Sequence, residues 1–191
     1  MTPSPPHILV VEDETELAEL FAEWLSEEYD VEVATDGETA LELVDDDTDV
    51  VLLDRLMPGL SGDEVLETIR ERGLDPRVAM VTAVEPDFDV LDMGFDDYVV
   101  KPLFRADIQR LVGGLLERDA YDRQLSELFS TASKLAALES HKEPDELADS
   151  EEYRRLEAEL ERARERVEQL ETDMSEADFE AVFYDFDRID L

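Results

Sequence analysis

The sequence predicts an α/β protein: a doubly wound, five-stranded parallel sheet, followed by an all-α helical hairpin or coiled-coil extension. Two observations carry this. Five short apolar runs, residues 7–11, 31–34, 50–54, 78–81 and 97–100, alternate with amphipathic stretches as far as residue 116. Strands alternating with helices build a parallel sheet with right-handed crossovers. Beyond residue 117 the alternation stops, and apolar residues step by three and four, the mark of a heptad seam.

Each element has its own signal. After the first run, Leu17, Leu20, Phe21, Trp24 and Leu25 recur at helical spacing. The second helical pattern carries Ala40, Leu41 and Val44 after Asp36-Gly37. The third carries Val65, Leu66 and Ile69, with Ser61 as N-cap and Glu64 three residues on to complete a capping box. The fourth, about residues 86–93, is short and weakly patterned, and the fifth carries Phe104, Ile108, Leu111, Leu115 and Leu116. The heptad seam then runs through Tyr121, Leu125, Leu128, Ala132 and Leu135. Residues 141–150, which include Pro144, interrupt it. A second seam follows through Tyr153, Leu156, Leu160, Ala163, Val167, Leu170 and Met174. Two seams of similar length around a proline-containing break predict an antiparallel hairpin, rather than two exposed helices that would gain little from a seam. Spacing leaves open whether the seam closes within one chain or between two. The tail, residues 175–191, starts with a capping pattern at Ser175 and Asp178. It carries Phe179, Val182, Phe183, Phe186 and Ile189, a stripe that packs on the rest of the chain or docks another protein.

The composition restricts function. The chain has 191 residues, 43% of them apolar, and a formal net charge of −37 from 54 acids and 17 bases. Such charge accompanies disorder when apolar residues are scarce; here the regular apolar runs favour a hydrated acidic surface suited to high salt, where screening removes self-repulsion. Only three bases are lysines, Lys101, Lys134 and Lys142. Residues 1–116 carry 30 acids and seven bases, and residues 117–191 carry 24 and ten. Neither half offers the basic face that nucleic acid normally requires, so nucleic-acid binding is not expected. There is no cysteine, hence no disulfide and no thiolate metal site. Residues 1–6 are expected to be a disordered, proline-rich lead, with neither the basic region nor the apolar stretch of a signal peptide. No run has the length of a membrane span, and a cytoplasmic protein is the expectation.

The chemistry centres on Asp54, which ends the third apolar run and precedes Arg55-Leu56-Met57-Pro58-Gly59. The Pro-Gly marks a loop, so Asp54 stands at the carboxyl end of a strand, where open α/β sheets bind ligands. Glu12 and Asp13 follow the first run. If the two strands are neighbours, three carboxylates converge, and a cation or a proton must join them. All-oxygen ligation suits Mg²⁺ with a phosphate oxygen as a further ligand, and a carboxylate beside such an ion can attack phosphorus. His7 reads as a strand-edge residue and His141 as a loop residue; neither has a partner at metal-ligand spacing.

At these residues the sequence meets a known family. Residues 7–116 resemble the receiver domain of two-component response regulators. The resemblance rests on Glu12-Asp13 after strand one; Asp54 with Met57-Pro58-Gly59 and Gly62; Thr82-Ala83 after strand four; and Asp96-Asp97-Tyr98 before Lys101-Pro102. It implies a flavodoxin-like strand order 2-1-3-4-5 and phosphorylation of Asp54 by a sensor histidine kinase. Glu12, Asp13 and Asp54 would hold Mg²⁺ with the main-chain carbonyl of Leu56. Thr82 would hydrogen-bond the phosphoryl group, Lys101 would pair with it, Tyr98 would be the aromatic switch, and the Lys101-Pro102 bond would be cis. Arg55 departs from the family, where an apolar residue is usual, and a cation there would alter phosphate access or lifetime. Residues 117–191 resemble the HalX domain of haloarchaeal regulators through Tyr121-Asp122, Ala132-Ser133-Lys134, Lys142-Glu143-Pro144 with Leu147, and Asp178-Phe179-Glu180.

The implied protein is a signalling switch that accepts phosphate and is not an enzyme in the turnover sense. Its output would pass through the face of the fourth helical pattern, fifth strand and fifth helical pattern, and through the helical hairpin, to a second copy or an output protein. Two other readings stand beside it. One is a transcription regulator whose helical extension touches DNA. The other is a metal-dependent phosphatase, which the apolar Leu56 disfavours by offering no general acid.

Overall fold

The computed structural model describes residues 4–86 and 93–173. The chain divides into two compact units, residues 1–116 and 117–191. In the first unit, strands β1 (His7–Val11), β2 (Asp30–Ala34), β3 (Val50–Leu53), β4 (Arg77–Thr82) and β5 (Asp97–Val100) alternate with helices α1 (Thr15–Leu25), α2 (Gly37–Leu43) and α3 (Gly62–Glu71). All neighbouring strands pair in parallel, in the order β2-β1-β3-β4-β5.

The apolar runs are continuous because both faces of the sheet are covered. Successive residues point to opposite faces. Leu9, Val11, Val51, Leu53, Val78 and Met80 join one core with residues of α2 and α3. Ile8, Val10, Val50, Leu52, Ala79 and Val81 join a second core with Phe21 and Leu25 of α1 and with Ile108, Val112 and Leu115. The two edge strands are the more exposed ones: β2 turns Glu32 to solvent and β5 ends on an exposed Val100.

Two helix starts are fixed by side chains. Ser61 and Glu64 form the capping box expected from sequence, Ser61 Oγ accepting from the Glu64 amide at 3.4 Å while Glu64 Oε2 accepts from the Ser61 amide at 3.0 Å. Asp36 caps α2 by accepting from the Thr39 amide at 2.7 Å; that bond and one from the Thr39 hydroxyl hold its carboxyl below the ordinary range.

An ion network ties α3 to β4 and β5. Arg70 donates to the carbonyls of Gly94 and Pro76, each at 3.0 Å. Its other nitrogen faces Asp96, whose carboxylate also accepts from Arg77 at 2.9 Å and from the Val78 amide at 2.7 Å. Asp96 is mostly buried, so its loss leaves two guanidinium groups and an amide short of an acceptor. Asp96→Ala is expected to lower stability by about 2 kcal/mol, read as a shift in the denaturation midpoint in molar KCl; an unchanged midpoint would show the network to be dispensable.

Two residue placements are corrected, and one element is longer than its sequence pattern: the fifth helical pattern and the first heptad seam are one helix, α4 (Arg105–His141), 37 residues long and uninterrupted at Gly113-Gly114. Glycines tax a helix by about 1 kcal/mol each without removing a hydrogen-bond donor, so they do not end it. Phe104 is not on its apolar face. It lies just before the helix, 71% exposed, its carbonyl accepting from the amides of Asp107 and Ile108 and its amide donating to the Asp107 carboxylate. His141 is the last helical residue rather than a loop residue.

In the second unit, α5 (Pro144–Asp149) separates α4 from α6 (Glu151–Asp173). Tyr121 and Val167 are buried together, with Leu125, Leu128 and Leu170 around them. Arg166 of α6 pairs with Glu127 at 3.0 Å, and the Tyr153 hydroxyl donates to Glu139 at 2.8 Å. These pairings run antiparallel, so the seam closes within one chain. Leu135 and Ala163 are buried as the heptads require; Thr131, outside the apolar count, is buried too. The fourth helical pattern falls largely on residues 87–92, which lie outside the described residues, as do residues 1–3 of the lead, Met174 and the whole 175–191 tail.

Candidate functional site

Strand order brings the acids together. β1 and β3 are hydrogen-bonded neighbours with Val11 opposite Leu53, so Glu12 and Asp54 follow at the same carboxyl edge. Their main chains are anchored: the Glu12 amide donates to Ala34 and the Asp54 amide to Val11. Glu12, Asp13 and Asp54 each present an oxygen within 4.8 Å of the others. Glu12 and Asp54 are buried and Asp13 is exposed. An all-oxygen donor set with one side open fits a hard divalent cation that keeps water.

Lys101 joins the cluster from the end of β5. Its ammonium donates to Asp54 Oδ2 at 2.6 Å and to Glu12 Oε2. Its amide donates to the Thr82 carbonyl at 2.8 Å, bringing the ends of β4 and β5 to the same edge. Both pKa values rise, for opposite reasons. Burial raises the Glu12 pKa above its ordinary value of 4.5, outweighing the bond and charge of Lys101, and Asp54 adds to the rise. Burial would lower the Lys101 pKa, but hydrogen bonds to Asp54 and Glu12 and their charges outweigh it, and the pKa rises. Lys101 is a cation throughout the neutral range and supplies the positive charge that three converging acids require.

The remaining expected residues lie along the same edge. Thr82 is fully buried at the end of β4, its hydroxyl oxygen facing the Val84 amide at 3.4 Å. Tyr98, on β5, donates its hydroxyl to the Val84 carbonyl at 2.9 Å and stacks obliquely on Phe95, ring centroids 5.7 Å apart. Val84 therefore touches both; sequence reasoning missed it because a main-chain contact leaves no residue signature. The Leu56 amide donates to Asp54 Oδ1 at 3.2 Å, and the residue is 64% exposed. The Lys101-Pro102 bond is cis. His7 begins β1 with Nε2 3.2 Å from Glu32 and takes no part in the cluster.

Comparison with known proteins points to the same fold and to a family. The sequence model of the response regulator receiver domain matches residues 8–113, and that of the HalX domain matches residues 117–183. A Haloferax volcanii protein named "Putative transcriptional regulator" is 49% identical over 148 residues, 74% of this chain and 25% of that protein. The transcriptional regulatory protein CpxR of Escherichia coli K12 is 38% identical over 121 residues, 61% of this chain and 52% of CpxR. The chain thus spans a quarter of the first relative and about half of the second. Among solved structures, the BeF3-activated DrrB receiver domain superposes with a TM-score of 0.55 at 30% identity, covering 59% of this chain and 98% of that one. The response regulator TrrA of Thermotoga maritima, in complex with Mg(2+)-BeF, gives 0.51 at 36% identity, covering 58% and 99%.

Proposed function

The chain belongs to the response regulator receiver family and carries a HalX domain behind its receiver, and from that premise we propose that it is a phosphorylation-dependent signalling switch acting in the cytoplasm. Residues 7–116 are the receiver and residues 117–191 the helical output. Asp54 accepts a phosphoryl group from a sensor histidine kinase, and the chain performs no further turnover beyond slow loss of that group. The observation that supports this is the meeting of Glu12, Asp13 and Asp54 at one sheet edge with the Lys101 ammonium on two of them.

The residues divide the work. An Asp54 carboxylate oxygen attacks phosphorus; the phosphorus bond to the kinase imidazole breaks, and the electron pair leaves with the imidazole. Glu12, Asp13, Asp54 and the Leu56 carbonyl would hold Mg²⁺, which when bound would offset phosphoryl charge and align the group. Lys101 pairs with the phosphorylated side chain as a point charge. Thr82 gives its hydroxyl to a phosphoryl oxygen, leaving the Val84 amide it faces here. Tyr98 is held by the carbonyl of the same residue, so movement of residue 84 reaches both side chains. The phosphoryl group biases an existing equilibrium, and output follows as contact with a second copy or another protein.

The test uses the whole chain in molar KCl with Mg²⁺ and labelled acetyl phosphate. Stoichiometric, alkali-labile label is expected, and light scattering with beryllofluoride reads any change in assembly. Absence of label with folded protein would sink the proposal. The relatives named as transcriptional regulators favour a second reading, in which the helical extension contacts DNA. A gel shift whose affinity falls steeply with salt would establish it; the excess of acids in residues 117–191 predicts no shift.

A further inference from the structure

Arg55 follows the acceptor directly, yet its head group is engaged at the far end of the next loop. Nε lies 3.0 and 3.2 Å from the two oxygens of Asp63, and Nη2 lies 3.1 Å from Oδ2. Asp63 is in the first turn of α3, where a carboxylate also meets the positive end of the helix. The Arg55 side chain is only 11% exposed. Its carbonyl accepts from the Gly62 amide at 2.9 Å. Only glycine fits at 62, because a Cβ there would come within 2.1 Å of the Asp54 carbonyl oxygen. Residues 55, 62 and 63 therefore close the neck of the β3–α3 loop, once through main chain and once through the fork.

Within that loop Leu56 has little packing to place it, the residue being 64% exposed. What ties it to the acids is its amide bond to Asp54 Oδ1. The geometry points to the Arg55–Asp63 pair as a clasp that holds Leu56 and the Asp54 carboxylate in position for a divalent cation. Arg55 is thus a positioning residue that acts through Leu56 and the Asp54 carboxylate. This deepens the reading of the acid cluster and rests on it. The choice of arginine has a physical reason: its planar fork matches a carboxylate in two bonds, which lysine does not. A pair with one partner largely buried is also screened by salt less than a surface pair.

Two measurements on the metal-free whole chain in molar KCl test the clasp. One is Mn²⁺ titration followed by the electron paramagnetic signal of the free ion; the other is amide hydrogen exchange across residues 56–61. Arg55→Ala and Asp63→Ala are each expected to weaken Mn²⁺ binding about tenfold, as loss of a partner behind a metal ligand does, and to speed exchange in the loop. The double variant should lose less than the sum of the two single losses, and Arg55→Lys should fall between the wild type and Arg55→Ala. Glu67→Ala, on the exposed face of α3, should match the wild type. Wild-type Mn²⁺ affinity and loop exchange in folded Arg55→Ala or Arg55→Lys would overturn the clasp, as would additive effects in the double variant. A wild type that binds no Mn²⁺ or takes no phosphoryl label would instead overturn the phosphoacceptor reading, with loop exchange still deciding the clasp.

Discussion

Asp54→Asn abolishes incorporation of phosphoryl label while leaving the protein folded. The carboxylate is the nucleophile of the proposed reaction, and the amide that replaces it has its nitrogen lone pair delocalised into the carbonyl. Most of the surroundings tolerate the change. Asn can keep an oxygen toward the Leu56 amide, which now donates to Asp54 Oδ1. It loses the acceptor that faces Lys101 at 2.6 Å, but that ammonium keeps Glu12. The variant also removes the Asp54 charge that pushes the Glu12 pKa upward, which offsets part of the lost ion pair. A thermal melt close to that of the wild type is therefore expected beside a loss of label to background. Label that persists in the variant, mapped to Asp13 or elsewhere, would remove Asp54 from the role.

Much of the fold is legible because its signals are local. The strands read as unbroken apolar runs since α1 and α4 cover one face and α2 and α3 the other; had one face been wet, alternation would have replaced the runs. Ser61 and Glu64 announce a helix start within four residues. Phe104 misleads for the opposite reason. Spacing to Ile108 is equally good for the last residue before a helix and the first inside it, and only the Asp107 cap decides. The continuity of α4 through two glycines is likewise a matter of main-chain bonds, which glycine makes as well as any residue.

The same division holds at the candidate site. Glu12, Asp13, Asp54 and Lys101 stand directly after strands, so strand order alone brings them to one edge. Arg55 was visible as an odd residue, but its partner Asp63 lies eight positions away across a loop whose closure depends on Gly62. Val84 connects Thr82 and Tyr98 through its amide and carbonyl, groups every residue has. Side chains placed directly after strands are readable; contacts across a loop or through main chain require the structure.

Lys101→Met is expected to destabilise the protein by about 3 kcal/mol at neutral pH, because removing one partner strands the buried charge of the other. The side chains of Glu12 and Asp54 are 4% and 9% exposed and that of Lys101 is 14% exposed, so solvent screening gives little relief. The dependence on pH has a definite sign. The folded-state pKa of Glu12 is raised above 4.5 even with Lys101 present, so folding favours the protonated acid. That contribution is present below 4.5 and is lost as pH rises through the folded-state value. Removing Lys101 removes the bond and charge that hold the shift in check, and the pKa climbs further. Lys101 itself, raised above its ordinary 10.5, contributes fully below that value and is constant between pH 5 and 9. The deficit of the variant is therefore largest near pH 7 and shrinks as pH falls through the raised Glu12 pKa, where Glu12 takes a proton in place of the ammonium. Mg²⁺ at neutral pH should restore part of the loss, since a cation among the same three carboxylates relieves the same repulsion. Paired denaturation series at pH 5 and 7, with and without Mg²⁺, decide the matter. A deficit that stays level across pH would mean that Lys101 acts through packing and not through the charge of the acids it joins.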